Sequence, residues 1–100
     1  NNDLQHLNTT EVLDLETMTF SPGPTMRTAR CECAAVALGG DSQRCLVVGG
    51  FDNGFRDLNT TEVLDLETVE FTDGPEMLTE RTGCAAVADD SRDRILVLGG

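Results

Sequence analysis

The decapeptide NTTEVLDLET occupies residues 8–17 and returns letter for letter at residues 59–68. The likeness runs outward from both copies. Aligning 8–37 on 59–88, an offset of 51, leaves 21 of 30 positions identical. Further on, RCLVVGG at 44–50 matches RILVLGG at 94–100 with an offset of 50. The 100-residue chain thus divides into two repeat units of a single region, approximately 1–50 and 51–100. Periods of this size belong to β-propellers or to helical arrays.

The apolar pattern separates these two. A helical array needs apolar residues three and four apart over ten or more positions, and the chain has none of that. It has short apolar runs broken by Gly, Pro, Asp and Thr instead. EVLDL (11–15, 62–66) alternates as a strand does, with Leu13 and Leu15 on one face and Val12 on the other. A tight turn leads to MTF and VEF, and the side chains of Asp14 and Asp65 are placed to cap it by accepting backbone N–H groups two residues on. CAAVAL (33–38) and CAAVA (84–88) predict a third strand, RCLVV and RILVL a fourth. Four short antiparallel strands per fifty residues make one propeller blade, so the fold class is all-β.

Residue size follows a blade's taper. The strand nearest the axis is crowded, and Ala34, Ala35, Ala37, Ala85, Ala86 and Ala88 suit that place. Phe20 and Phe71 fill the roomier outer strand. Gly49–Gly50 and Gly99–Gly100 end the fourth strand, where positive φ and close approach of a neighbouring chain are needed. SPGP and TDGP make the crossover to the next blade.

At this level of detail the unit resembles the kelch repeat. The double glycine after an apolar strand, the strand ending in Asp14 or Asp65, and the aromatic Phe20 or Phe71 all match. So do Met26-Thr28-Arg30 and Met77-Thr79-Arg81, and the small-residue strand that follows. Where kelch repeats commonly carry Tyr and Trp, this chain has Leu13 and Leu64, then Phe20 and Phe71, at the same interval of seven residues. The volume is kept and the polar handles are lost.

The resemblance implies kelch-type four-stranded blades in a ring of about six. Two repeats are a fragment of that ring. They bury only the faces they share, so further blades of the same chain, or self-association of three copies, are expected to close it. A longer propeller is the favoured reading of the two. Strands 33–38, 44–49, 62–66 and 69–72 are expected to form the one complete blade, flanked by an outer pair (11–15, 18–20) and an inner pair (84–88, 95–98).

The same resemblance makes a protein partner the expected ligand, held by loops at one mouth of the ring. The candidate contacts are Phe55 and Arg56 at the tip of FDNGFRDLN (51–59), with Glu32, Arg30 and Arg81 beside them. Exposed aromatic and Arg side chains are typical interface anchors. Arg30 and Arg81 recur, which favours a structural role at each blade. Glu32 does not recur, since Gly83 faces it, and is the better candidate for specificity.

Composition restricts the other classes. A formal charge of −11 repels nucleic-acid phosphates and anionic membrane surfaces. No apolar run approaches the ~20 residues of a membrane span. No catalytic set can be assembled, and no cofactor is expected. The one histidine, His6, lacks a partner base, and the carboxylates Glu11, Asp14 and Glu16 are copied at Glu62, Asp65 and Glu67 as structural parts are. Some propellers of this kind are enzymes, including a copper radical oxidase with Tyr and His ligands, but the chain has no Tyr. The alternative reading is therefore an enzyme or ligand-binding propeller whose site residues lie in other blades. Cys31, Cys33, Cys45 and Cys84 lack zinc-knuckle spacing and read as reduced strand residues, so no metal is expected. DNGFRD and ADDSRDRI lack the spacing of an EF-hand. NTT is a glycosylation sequon, but no leader is visible, and the cytoplasm is favoured.

Overall fold

The computed structural model describes residues 7–38, 43–92 and 94–100. His6 and the Asp93 of the second acidic loop lie outside them. Eight strands follow one another: β1 Glu11–Asp14, β2 Thr19–Pro22, β3 Ala34–Leu38, β4 Arg44–Val48, β5 Thr61–Asp65, β6 Glu70–Asp73, β7 Ala85–Asp89 and β8 Arg94–Leu98. A 3-10 turn over Asp90–Arg92, not anticipated from the sequence, joins the last two.

β3, β4, β5 and β6 form one antiparallel sheet in that order, while β1–β2 and β7–β8 are two-stranded. The central sheet is a propeller blade. The outer half of a blade precedes it and the inner half of another follows. The alanine-rich strands β3 and β7 lie against each other, as innermost strands of adjacent blades do. The complete sheet straddles residue 50, so blade and sequence repeat are out of phase.

The decapeptide explains how each crossover is pinned. Thr10 Oγ1 donates to Pro24 O at 2.6 Å, and Thr61 Oγ1 to Pro75 O at 2.8 Å. Asn8 Nδ2 donates to Met26 O and Asn59 Nδ2 to Met77 O. Backbone bonds Gly23 N to Thr10 O and Gly74 N to Thr61 O complete each staple.

The hairpins beyond are shorter in strand than the sequence suggests. Asp14 Oδ1 accepts from Glu16 N at 2.8 Å and Thr17 N at 3.2 Å, and Asp65 repeats both bonds. The cap curls the chain immediately, so Leu15 and Leu66 sit in the turn, exposed, and not on a strand face. Met18 and Val69 end the turns at φ 58° and 59°, outside the strands expected to hold them. A β-branched residue is strained there. Val69→Asn is therefore expected to stabilise the chain by about 0.5–1 kcal/mol, read as a higher urea midpoint.

The core gathers Met26 from the crossover, Val47 from β4 and Phe71 from β6, with Cys33 and Leu64 packed against them. Leu64 and Phe71 are direct cross-strand partners. Burial pushes the thiols of Cys33 and Cys45 above their ordinary range, so they stay protonated at neutral pH.

Candidate binding surface

Strand direction alternates, so the β2–β3 crossover (23–33), the β4–β5 loop (49–60) and the β6–β7 crossover (74–84) all leave at one end of the sheets. That end carries all five candidate contact residues. The structure gives them different environments.

Arg30 is inside. Its side chain and that of Glu62 are each 1% exposed and lie 3.2 Å apart. The guanidinium also donates to Gly49 O at 2.9 Å, Thr60 O at 3.0 Å and Thr60 Oγ1 at 3.0 Å. Glu62 in turn accepts from the backbone N–H of Arg27 at 2.7 Å and Thr28 at 3.0 Å. Arg30 therefore has no surface for a partner, and the pair ties the crossover onto β5. Recurrence marks Glu62 as a structural copy of Glu11 and Arg30 as one of Arg81; that the two recurring residues pair with each other is the step that recurrence alone does not give.

Arg81 occupies the equivalent place and donates to Gly99 O at 2.7 Å, as Arg30 does to Gly49 O. Between these two arginines stands the double glycine. Gly49 and Gly50 have φ of 65° and 92°. A Cβ on Gly49 would strike Arg81 O, and one on Gly50 would stand 2.6 Å from Cys31 O. Gly50 N donates to Arg81 O at 2.8 Å, joining the central blade to the next crossover. Glu32 is exposed at φ 58° and its carbonyl accepts Gly83 N at 2.9 Å. Glu32 and Gly83 thus share a left-handed backbone.

The β4–β5 loop is a compact hairpin built on Asp52. Phe51 bridges to Cys31 and to Asp57. Asp52 Oδ1 accepts Gly54 N at 2.9 Å and Arg56 N at 3.1 Å, while Phe55 N donates to Asp52 O. This places Phe55 at φ 61° with 64% of its surface exposed. Its ring stacks on that of Phe51, centroids 6.3 Å apart and planes at 24°. Arg56 lies beside it, 83% exposed and 3.8 Å from Asp52. Asp-x-Gly is the local signal that marks Asp52 as the hub.

The N–H groups of Arg56 and then Gly54 hold the Asp52 carboxyl below its ordinary range. In the unfolded chain that group returns to about 3.9. Its contribution to loop order is therefore complete above that value and fades as pH falls through the lower folded value. The NMR chemical shift of the Phe55 amide is expected to stay constant from neutral pH down to about 5 and to drift toward the unfolded position only below about 4.

A family model of the kelch motif matches residues 29–78, half of the chain. The chain belongs to the kelch-repeat family. The match takes in Arg30 and runs through the whole central sheet to Leu78, so it covers one kelch blade and the second of the two crossover staples. No curated protein matches the chain. Kelch repeats are commonly interaction scaffolds. Among the described residues, no group of three His, Cys, Asp or Glu side chains is arranged to hold a metal ion. Among the described residues, no helix is long and apolar enough to cross a membrane either.

Proposed function

We propose that this kelch segment is a protein-interaction scaffold that presents the Phe55–Arg56 hairpin to its partner. The same reading takes residues 1–50 and 51–100 as the repeat units of one region within a ring of about six blades. The observation that carries it is the posture of Phe55. Asp52 holds the hairpin from within, and the Phe51 ring supports one face of Phe55 while most of its surface stays in water. Exposing a phenylalanine has no stabilising value for the fold itself, whereas a supported aromatic beside an arginine is an efficient anchor. Glu32 flanks it on the neighbouring crossover and supplies a polar contact at the rim, while Arg81, half-buried and bonded to Gly99 O, belongs to the blade as Arg30 does.

A photo-crosslinking amino acid tests this. Benzoylphenylalanine at position 55 is expected to trap a protein that the same group at position 16, at the opposite end of the sheet, does not trap. Phe55→Ala should then weaken that protein's affinity about 30-fold, the scale of an interface anchor. Equal trapping from both ends, or unchanged affinity in Phe55→Ala, would overturn the reading.

A further inference from the structure

We infer that Asn53, in the turn of the β4–β5 hairpin, is a site of spontaneous covalent modification. Its side-chain amide is exchanged for a carboxylate through a ring closed by the backbone nitrogen of Gly54. The co-reactant is water, and no other protein is needed.

Three observations single out this residue. Asn53 and Gly54 are both exposed, in a loop flanked on both sides by the crossovers 23–33 and 74–84. Glycine follows the asparagine, so no side chain shields the attacking nitrogen from the amide carbon. The fold does not call for that glycine. Every other glycine among the described residues has a left-handed backbone or a neighbour that a Cβ would strike. Gly54 has neither: a Cβ there would stand 3.4 Å from Asp52 Oδ1 and 3.8 Å from Arg56 Nε, ordinary contact distances. The other described asparagines differ on each count. Asn8 and Asn59 are half-buried, and each donates Nδ2 to a carbonyl, Met26 O or Met77 O. Each is followed by Thr, whose branched side chain covers the nitrogen.

Gly54 N gives its proton to hydroxide and attacks Cγ of Asn53. The N–Cγ bond forms, the Cγ–Nδ2 bond breaks, and Nδ2 leaves as ammonia with a proton taken from water. A cyclic imide remains, and water opens it. Cleavage at Cγ leaves aspartate on an unaltered chain. Cleavage at the backbone carbonyl carbon leaves isoaspartate, whose chain runs through the side chain and is longer by a methylene. No electrons are exchanged: one water enters and one ammonia departs.

Asp52 sets the pace. Its Oδ1 accepts Gly54 N at 2.9 Å, and so holds the proton that has to leave. A carboxylate beside that nitrogen also disfavours its anion. The same oxygen accepts Arg56 N at 3.1 Å and keeps the turn closed. The folded hairpin thus slows a reaction that its sequence invites, and conversion proceeds through openings of the loop.

Isoaspartate undoes that control. The added methylene moves the Gly54 and Arg56 N–H groups away from Asp52, and a second carboxylate arrives beside it. Phe55, held at φ 61° by this turn, loses its fixed posture. On the binding role proposed for the hairpin, which this consequence alone rests on, conversion sets a lifetime for the contact.

The 100-residue chain, kept for weeks at physiological temperature and mildly alkaline pH, is cleaved and mapped by mass spectrometry, with isoaspartate methyltransferase as the probe for the rearranged product. Both products are expected at position 53, forming at least about tenfold faster than at Asn8 or Asn59. Gly54→Ala should slow conversion about tenfold and leave the urea midpoint in place. The native chain should convert several-fold more slowly than the same chain unfolded in urea, and Asp52→Ala should close most of that gap. Conversion at Asn53 no faster than at Asn8, or undiminished in Gly54→Ala, overturns the site. A native chain that converts as fast as the unfolded one overturns the part given to Asp52. An isoaspartate form that binds the partner trapped at position 55 with unchanged affinity overturns the lifetime and leaves the site standing.

Discussion

Glu62→Ala is expected to lower the stability of the chain by about 3–5 kcal/mol, as removal of one partner from a buried ion pair does. The side chain is fully buried and offers its oxygens to three donors, Arg27 N, Thr28 N and the Arg30 guanidinium. Truncation strands a guanidinium in the interior and leaves two backbone amides unpaired. A domain of this size has about 5–15 kcal/mol in all, so urea denaturation will register a large fall. Glu11→Ala removes the same residue from the same decapeptide, but from an exposed site, and at dilute concentration should shift the midpoint by under about 0.5 kcal/mol. The double variant Arg30→Leu, Glu62→Leu should recover part of the loss, because no charge is stranded, and not all, because the amides of Arg27 and Thr28 remain without an acceptor.

Phe71→Ala is expected to cost about 3–5 kcal/mol, and Phe20→Ala under about 1 kcal/mol in dilute solution. Phe71 closes the core against Met26 and Val47, and its removal leaves a cavity that strand pairing keeps from collapsing. Phe20 stands at the same place in the repeat, opposite Leu13 as Phe71 stands opposite Leu64, but with 65% of its surface in water. Calorimetric melts of the two variants in parallel give the comparison. Similar losses would mean that Phe20 is covered in solution.

These pairs show where sequence stops being sufficient. The repeat, the short strands, the crossovers and the Asp caps were legible because each is a local pattern with a local cause. Burial was not. The identical letters EVLD form a strand that is mostly exposed in β1 and buried only at Glu62, half-buried elsewhere, in β5. The difference arises on the side away from the hairpin partner, where β5 has β4 and β1 has no strand among the described residues. Arg30 illustrates the same limit, since its partner lies 32 residues away and its burial follows from that contact. In the β4–β5 loop, Asp52-x-Gly54 announces a turn, yet whether Phe55 tucks under or stands out is decided by the left-handed backbone and the Phe51 ring. Alternation alone places Leu15 and Met18 on strands, because it takes no account of how early a capped turn begins.

The half-repeat offset between blade and sequence has a consequence for inheritance. Each sheet takes its inner strands from one copy of the repeat and its outer strands from the next, so every copy carries both sides of a join. Unequal recombination that inserts or deletes one whole copy, anywhere in an array, reproduces a join already in use: the same register, the same Arg–Glu pair, the same five core residues. Repeat number in such a gene can therefore drift without any new contact having to be selected. An unaltered decapeptide at residues 8–17 and 59–68 is the kind of trace that such a copying event would leave.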